Sequence, residues 1–132
     1  MKLHTLILRT TALVALASLV AFQSGCLLVA AGAAGAGTVA YVRGELDASL
    51  AGSYDSVVKA ANRALDDLQF KKINETKDAI KTVLVARTAD DKKVRIEITK
   101  VSDTLTKVEI RVGVFGNENL SRTILDKIQK NL

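Results

Sequence analysis

Val94-Arg95-Ile96-Glu97-Ile98 and Val108-Glu109-Ile110-Arg111-Val112 decide the fold of this chain. Each segment alternates strictly, with apolar residues at even positions and charged residues at odd ones. A period of two puts one set on a buried face and the other in water, which is the signature of a half-buried strand. Ser102-Asp103 lies in the short connector between them, and short connectors make neighbouring strands antiparallel. Three alignments keep the apolar faces together. One opposes Glu97 to Glu109 and Arg95 to Arg111, and like charges directly opposite cost about 0.2–1 kcal/mol per pair. The predicted register avoids this by setting Glu97 against Lys107 and Arg95 against Glu109.

Working outward, Ile80–Thr88 is rich in β-branched residues and Phe70–Glu75 is a weaker strand. Thr76-Lys77-Asp78 and Asp90-Asp91 supply the turns. A two-residue loop at Asp90-Asp91 sets Val85 opposite Ile96 and Val83 opposite Ile98. Arg43 to Leu50 alternates again, with Leu46, Ala48 and Leu50 on one side. Ser53 then caps a helix that runs to about Gln69, with Val57, Ala61, Ala64, Leu65 and Leu68 on one stripe. Gly116 turns the chain and Asn117 caps a last helix, whose stripe is Leu120, Ile124, Leu125, Ile128 and Leu132. The order β-α-β-β-β-β-α predicts an α+β two-layer sandwich: a mainly antiparallel sheet of about five strands with two helices on one face. Leu46, Val83, Val85, Ile96, Ile110 and Ile124 are expected to point inward. The face bearing Arg95, Glu97, Lys107, Glu109 and Arg111 is expected to meet water or a partner.

The amino-terminal third is of another kind. Lys2 and Arg9 precede an apolar core, Thr10 to Phe22, and no acidic residue occurs before Glu45. A basic start, a short apolar core and the small residues Ser24-Gly25 make the layout of a secretory signal. The sole cysteine, Cys26, follows directly. Ser24-Gly25-Cys26 resembles the lipobox of bacterial lipoproteins, with Gln23 standing where that motif places an aliphatic residue. The resemblance implies cleavage between Gly25 and Cys26 and acylation of Cys26, and Leu27 in place of Asp favours the outer membrane. The alternative is a transmembrane helix, since Thr10 to Val42 carries no charge and about 20 apolar residues span a bilayer. Gly25, Gly32, Gly35 and Gly37 interrupt that run, at a cost of about 1 kcal/mol each in a helix interior. The predicted organisation is a signal at 1–25, the lipidated cysteine with an apolar Ala/Gly-rich tether at 26–42, and a small α+β domain at 43–132.

Tyr41-Val42-Arg43-Gly44-Glu45-Leu46, the alanines Ala60, Ala61 and Ala64, and Arg111-Val112-Gly113-Val114-Phe115-Gly116 followed by Ser121 and Ile124-Leu125 carry a wider resemblance. Together they resemble a family of small bacterial lipoproteins filed as domain of unknown function 3568. The likeness spans essentially the whole chain. It implies an envelope lipoprotein and brings no activity and no functional residues.

Composition narrows the chemistry. Cleavage before Cys26 would leave 107 of the 132 residues; losing Lys2 and Arg9 from 19 basic residues leaves 17 against 14 acidic, a net of +3. That excess is too weak and too dispersed for nucleic acid, and Tyr41, Tyr54, Phe70 and Phe115 are few for stacking. The single histidine, His4, lies in the signal. With the one thiol acylated, neither a Ser-His or Cys-His nucleophile nor a His/Cys metal site can be built. Asp66-Asp67 sits on a helix, where sequence neighbours diverge, and Asp90-Asp91 fills a turn. Phe115-Gly116-Asn117 is expected to be a core aromatic before a glycine turn, with partner contact the alternative.

The functional expectation is therefore a membrane-anchored cell-envelope lipoprotein, lipid-anchored through Cys26 and facing the periplasm. It would be non-enzymatic, without metal or cofactor, and would contact another envelope protein or a second copy of itself. The alternative is a carrier or sensor of a small apolar ligand held between sheet and helices, with no ligand-binding residue assignable.

Overall fold

The computed structural model describes residues 36–132, with side chains from Thr38 onward. Gly25, Cys26, the predicted signal and the first part of the predicted tether lie outside the described residues. The element order is β1 (Ala36–Val42), β2 (Glu45–Ala51), α1 (Tyr54–Asp67), β3 (Lys71–Lys77), β4 (Lys81–Arg87), β5 (Lys93–Lys100), β6 (Leu105–Val112) and α2 (Glu118–Lys130). All six strands form one antiparallel sheet in the order β1-β2-β6-β5-β4-β3.

The α+β class holds, but the sheet has six strands rather than about five, and the order is β-β-α-β-β-β-β-α. The added strand, β1, takes the last seven residues of the predicted tether. Thr38, Val39, Tyr41 and Val42 have the β-branched and aromatic side chains that fit a pleated surface. Arg43-Gly44, expected to open the next strand, is instead the hairpin turn. Both residues have positive φ, 54° and 83°, which a two-residue hairpin of matching twist requires.

Topology follows from reach. After β2 the chain must cross to the far edge, four strand spacings or about 19 Å away. The 14 residues of α1 supply about 21 Å of helix. β3 to β6 then meander back until β6 pairs with β2. Both helices cover one face, with Tyr54, Val57, Ala61, Ala64 and Leu65 of α1 and Ile124, Leu125 and Ile128 of α2 buried against the sheet. Ser53 caps α1 by accepting from Ser56 N–H, and Asn117 caps α2 by accepting from Leu120 N–H. Leu132 lies beyond the end of α2 and is exposed, outside the stripe predicted for it.

The register departs from expectation at two hairpins. Leu84, not Val85, faces Ile96, and Val83 faces Glu97. The β4–β5 loop holds three residues, Ala89-Asp90-Asp91, with Asp91 in the left-handed region and its N–H bonded to Thr88 O. One residue of slip exchanges the two faces. Thr82, Leu84 and Ala86 therefore point into the core, and Val83 and Val85 lie half-buried on the outer face. In the β5–β6 hairpin Glu97 stands opposite Glu109 and Arg95 opposite Arg111, the like-charge alignment, in place of the predicted Glu97–Lys107 and Arg95–Glu109 pairing. Like charges share a row, but each carboxylate is neutralised along its own strand. Arg95 pairs with Glu97 at 2.8 Å and Lys107 with Glu109 at 2.7 Å; Lys81 adds a second partner to Glu97. The apolar rows Val94–Val112, Ile96–Ile110 and Ile98–Val108 match at the same time.

Candidate functional site

The outer face of the sheet is banded by charge. Cross-strand partners Arg87–Lys93 and Arg95–Arg111 give two basic stretches, the second bounded by Glu45 opposite Arg111 on β2. Asp47, Glu109 and Glu97 form an acidic row next to them, followed by Lys107 and Lys81 in neighbouring positions. Where the basic stretches meet the end of β6, a cleft of about 800 Å³ opens. Its lining includes the cations Arg87, Lys92, Lys93, Arg95 and Arg111, with Asp91 the one acid among them.

Val114 and Phe115 form the rim of this cleft. Phe115 is 93 % exposed and Val114 is 78 % exposed, so the expectation of a core aromatic at Phe115 fails. The reason is local. β6 ends at Val112, and Gly113-Val114-Phe115-Gly116 leaves the sheet before α2 begins. The loop is nonetheless tightly held. Gly113 N–H donates to Lys93 O at 2.7 Å, and the Arg111 guanidinium donates to Val114 O at 2.8 Å. Gly44 and Gly116, both at positive φ, lie backbone against backbone. A Cβ on Gly44 would collide with the Phe115 carbonyl oxygen, and one on Gly116 would collide with Gly44 and crowd the Tyr41 hydroxyl. The turn that completes the β1–β2 hairpin thus also buttresses the exposed aromatic.

Most cations here have a local partner. Arg87 bonds Asp91 at 2.9 Å, and Lys92 bonds Asp90 at 2.7 Å. The Lys92 ammonium, with help from the Thr88 hydroxyl, holds the Asp90 carboxyl down from 3.8 to about 2. Arg111 donates to the Val114 carbonyl, and among the described residues neither Arg111 nor Lys93 makes an ion pair. A net positive cleft beside a fixed aromatic can attract an anion and give it an apolar contact.

The other predicted positions are dispersed. Asp66 and Asp67 lie exposed on α1, and Asp67 accepts from Asn131 Nδ2 at 3.0 Å. No group of three or more His, Cys, Asp or Glu gathers around a common point among the described residues. No described helix is long and apolar enough to cross a membrane. Between sheet and helices, Leu46, Ile96, Ile110, Ile124 and Ile128 are at 0 % exposure and pack into one cluster.

Fold and cleft define a small two-layer α+β domain whose helices seal one sheet face and whose other face is open and charged. The chain belongs to the family described as protein of unknown function (DUF3568), whose model matches residues 7–131. No curated protein matches the chain.

Proposed function

We propose that this protein is a non-enzymatic contact module of the bacterial cell envelope, anchored to the membrane by acylation of Cys26 and binding another envelope component through the Phe115 cleft. The observation that carries the contact role is the rigid presentation of an almost fully exposed phenylalanine. Burying such an aromatic on association gains apolar contact with little further ordering cost, which is how interface anchors work. The filled space between sheet and helices favours this reading over a carrier of an apolar ligand. The anchor rests on Lys2, Arg9 and the Ser24-Gly25-Cys26 sequence, and Leu27 favours the outer membrane, facing the periplasm.

Mass spectrometry of the protein extracted from membranes tests the anchor. A chain beginning at Cys26 with a thioether-linked diacylglycerol is expected; an intact signal or an unmodified thiol defeats it. Photo-crosslinking in cells from position 114 tests the contact role, and absence of any adduct at that position defeats it.

A further inference from the structure

We infer that the occupant of the Phe115 cleft is an extended acidic segment of a partner polypeptide, laid across the strands on the outer face of the sheet. This rests on the contact role proposed above and specifies its chemistry. Lys71 faces Arg87 across β3–β4, Arg87 faces Lys93 across β4–β5, and Arg95 faces Arg111 across β5–β6. The cations therefore run as a track from the β3 edge to the foot of the Phe115 loop. Three strand spacings make it about 14 Å long, a length covered by four or five residues of extended chain at about 3.3 Å each. Lys71, Lys93 and Arg111 make no ion pair among the described residues, whereas Arg87 and Arg95 also hold Asp91 and Glu97, so an incoming carboxylate meets three cations free of ion pairs along the track. The track ends where Val114 and Phe115 offer an apolar contact to a neighbouring side chain.

Two observations set a polypeptide above a lipid surface as the occupant. The paired cations belong to consecutive strands β3 to β6, in a band leading to the loop that carries Phe115, which matches the course of an extended chain. The chain also enters the sheet at Ala36, which pairs with Leu50, whereas Val42 and Glu45 mark the cleft end. The described chain thus enters the sheet at the end away from the cleft.

The test uses the full-length mature chain in a non-ionic detergent, with a fluorescein-labelled peptide of one Phe followed by five Glu as the probe. Binding is expected, weakening as salt is raised, and falling about tenfold or more in Phe115→Ala and separately in the Arg95→Ser/Arg111→Ser pair. Phe115→Ala is expected to keep the parent's thermal unfolding, because that side chain lies outside the core. The arginine pair also loses the Arg95–Glu97 ion pair and the Arg111 bond to Val114 O, so it is expected to unfold at a somewhat lower temperature and its binding is read well below that point. No binding, or equal binding by parent and variants, overturns the inference. In cells, the adduct from position 114 is expected to be a partner peptide carrying several Asp or Glu residues. Capture of a protein through a stretch without acidic residues overturns the acidic-segment inference and leaves the contact role standing. Capture of lipid alone overturns both.

Discussion

Gly116 shows how much one residue can hold. Its φ of 88° lies where a Cβ is strained, and its backbone abuts Gly44. Gly116→Ala combines a left-handed penalty with a collision that the Gly44 backbone cannot easily relieve. A loss of about 2 kcal/mol or more is expected in denaturant unfolding. Asp90 makes a second case. Its carboxyl is depressed to about 2 by Lys92 and then Thr88. A depressed carboxyl contributes stability above its unfolded value of 3.8 and loses that contribution as pH falls through about 2. The β4–β5 hairpin should therefore be insensitive to pH from neutral to about 4 and loosen between about 4 and 2. An NMR titration of the Asp90 carboxyl with its midpoint near 4 would contradict this. Cap residues were readable at this scale because the N-cap hydrogen bond is local: Ser53 and Asn117 bond amides three residues on. The exposure of Phe115 was not, although the glycines flanking it at 113 and 116 carried a signal that the strand had ended.

At the scale of the element, α1 ends in a Schellman arrangement. Phe70 N–H bonds Leu65 O and Gln69 N–H bonds Asp66 O, with Gln69 at φ 57°. Glycine is the favoured residue at that position, so Gln69→Gly is expected to stabilise the protein by about 1 kcal/mol in denaturant unfolding. β3 is the opposite kind of element, a strand exposed along its whole length. Its side chains reach α1 through exposed charged and polar groups, at Lys77–Asp55 and Lys72–Asn62, each about 3 Å, and through the Lys77 ammonium over the Tyr54 ring. Exposed ion pairs contribute little. Backbone amides of β3 should therefore exchange with deuterium well before those of β5 and β6, and equal protection would argue against this account. Strand identity was legible from alternation, but register was not. Cross-strand charge opposition is worth only tenths of a kcal/mol, and it was cancelled here by Arg95–Glu97 and Lys107–Glu109 pairs running along the strands. The extra loop residue, Ala89, decided the β4–β5 register, because the turn closed by left-handed Asp91 is set by backbone bonding rather than by side-chain pattern.

For the whole molecule, the packed core and the proposed contact surface lie on opposite sides of the sheet. Ile96 is fully buried beneath the helices, so Ile96→Ala should cost about 2–5 kcal/mol. Phe115→Ala should leave unfolding within about 0.5 kcal/mol of the parent while weakening association. Comparable destabilisation by both substitutions would dissolve this division. The sequence by itself determined the α+β class, the two capped helices, the inward set Leu46, Ile96, Ile110 and Ile124, and the charged character of the outer face. All of these follow from periodicity and capping, which act within a few residues. It also carried the family likeness that the match over 7–131 bears out. Only the tertiary structure decided that Ala36–Val42 is a sheet edge, that Val83 and Val85 face outward, and that Lys71, Arg87, Lys93, Arg95 and Arg111 line up beside an exposed Phe115. Each of these depends on which strands meet and in what register. That is settled by summed packing and turn geometry across the whole sheet, over separations that no local pattern in the chain encodes.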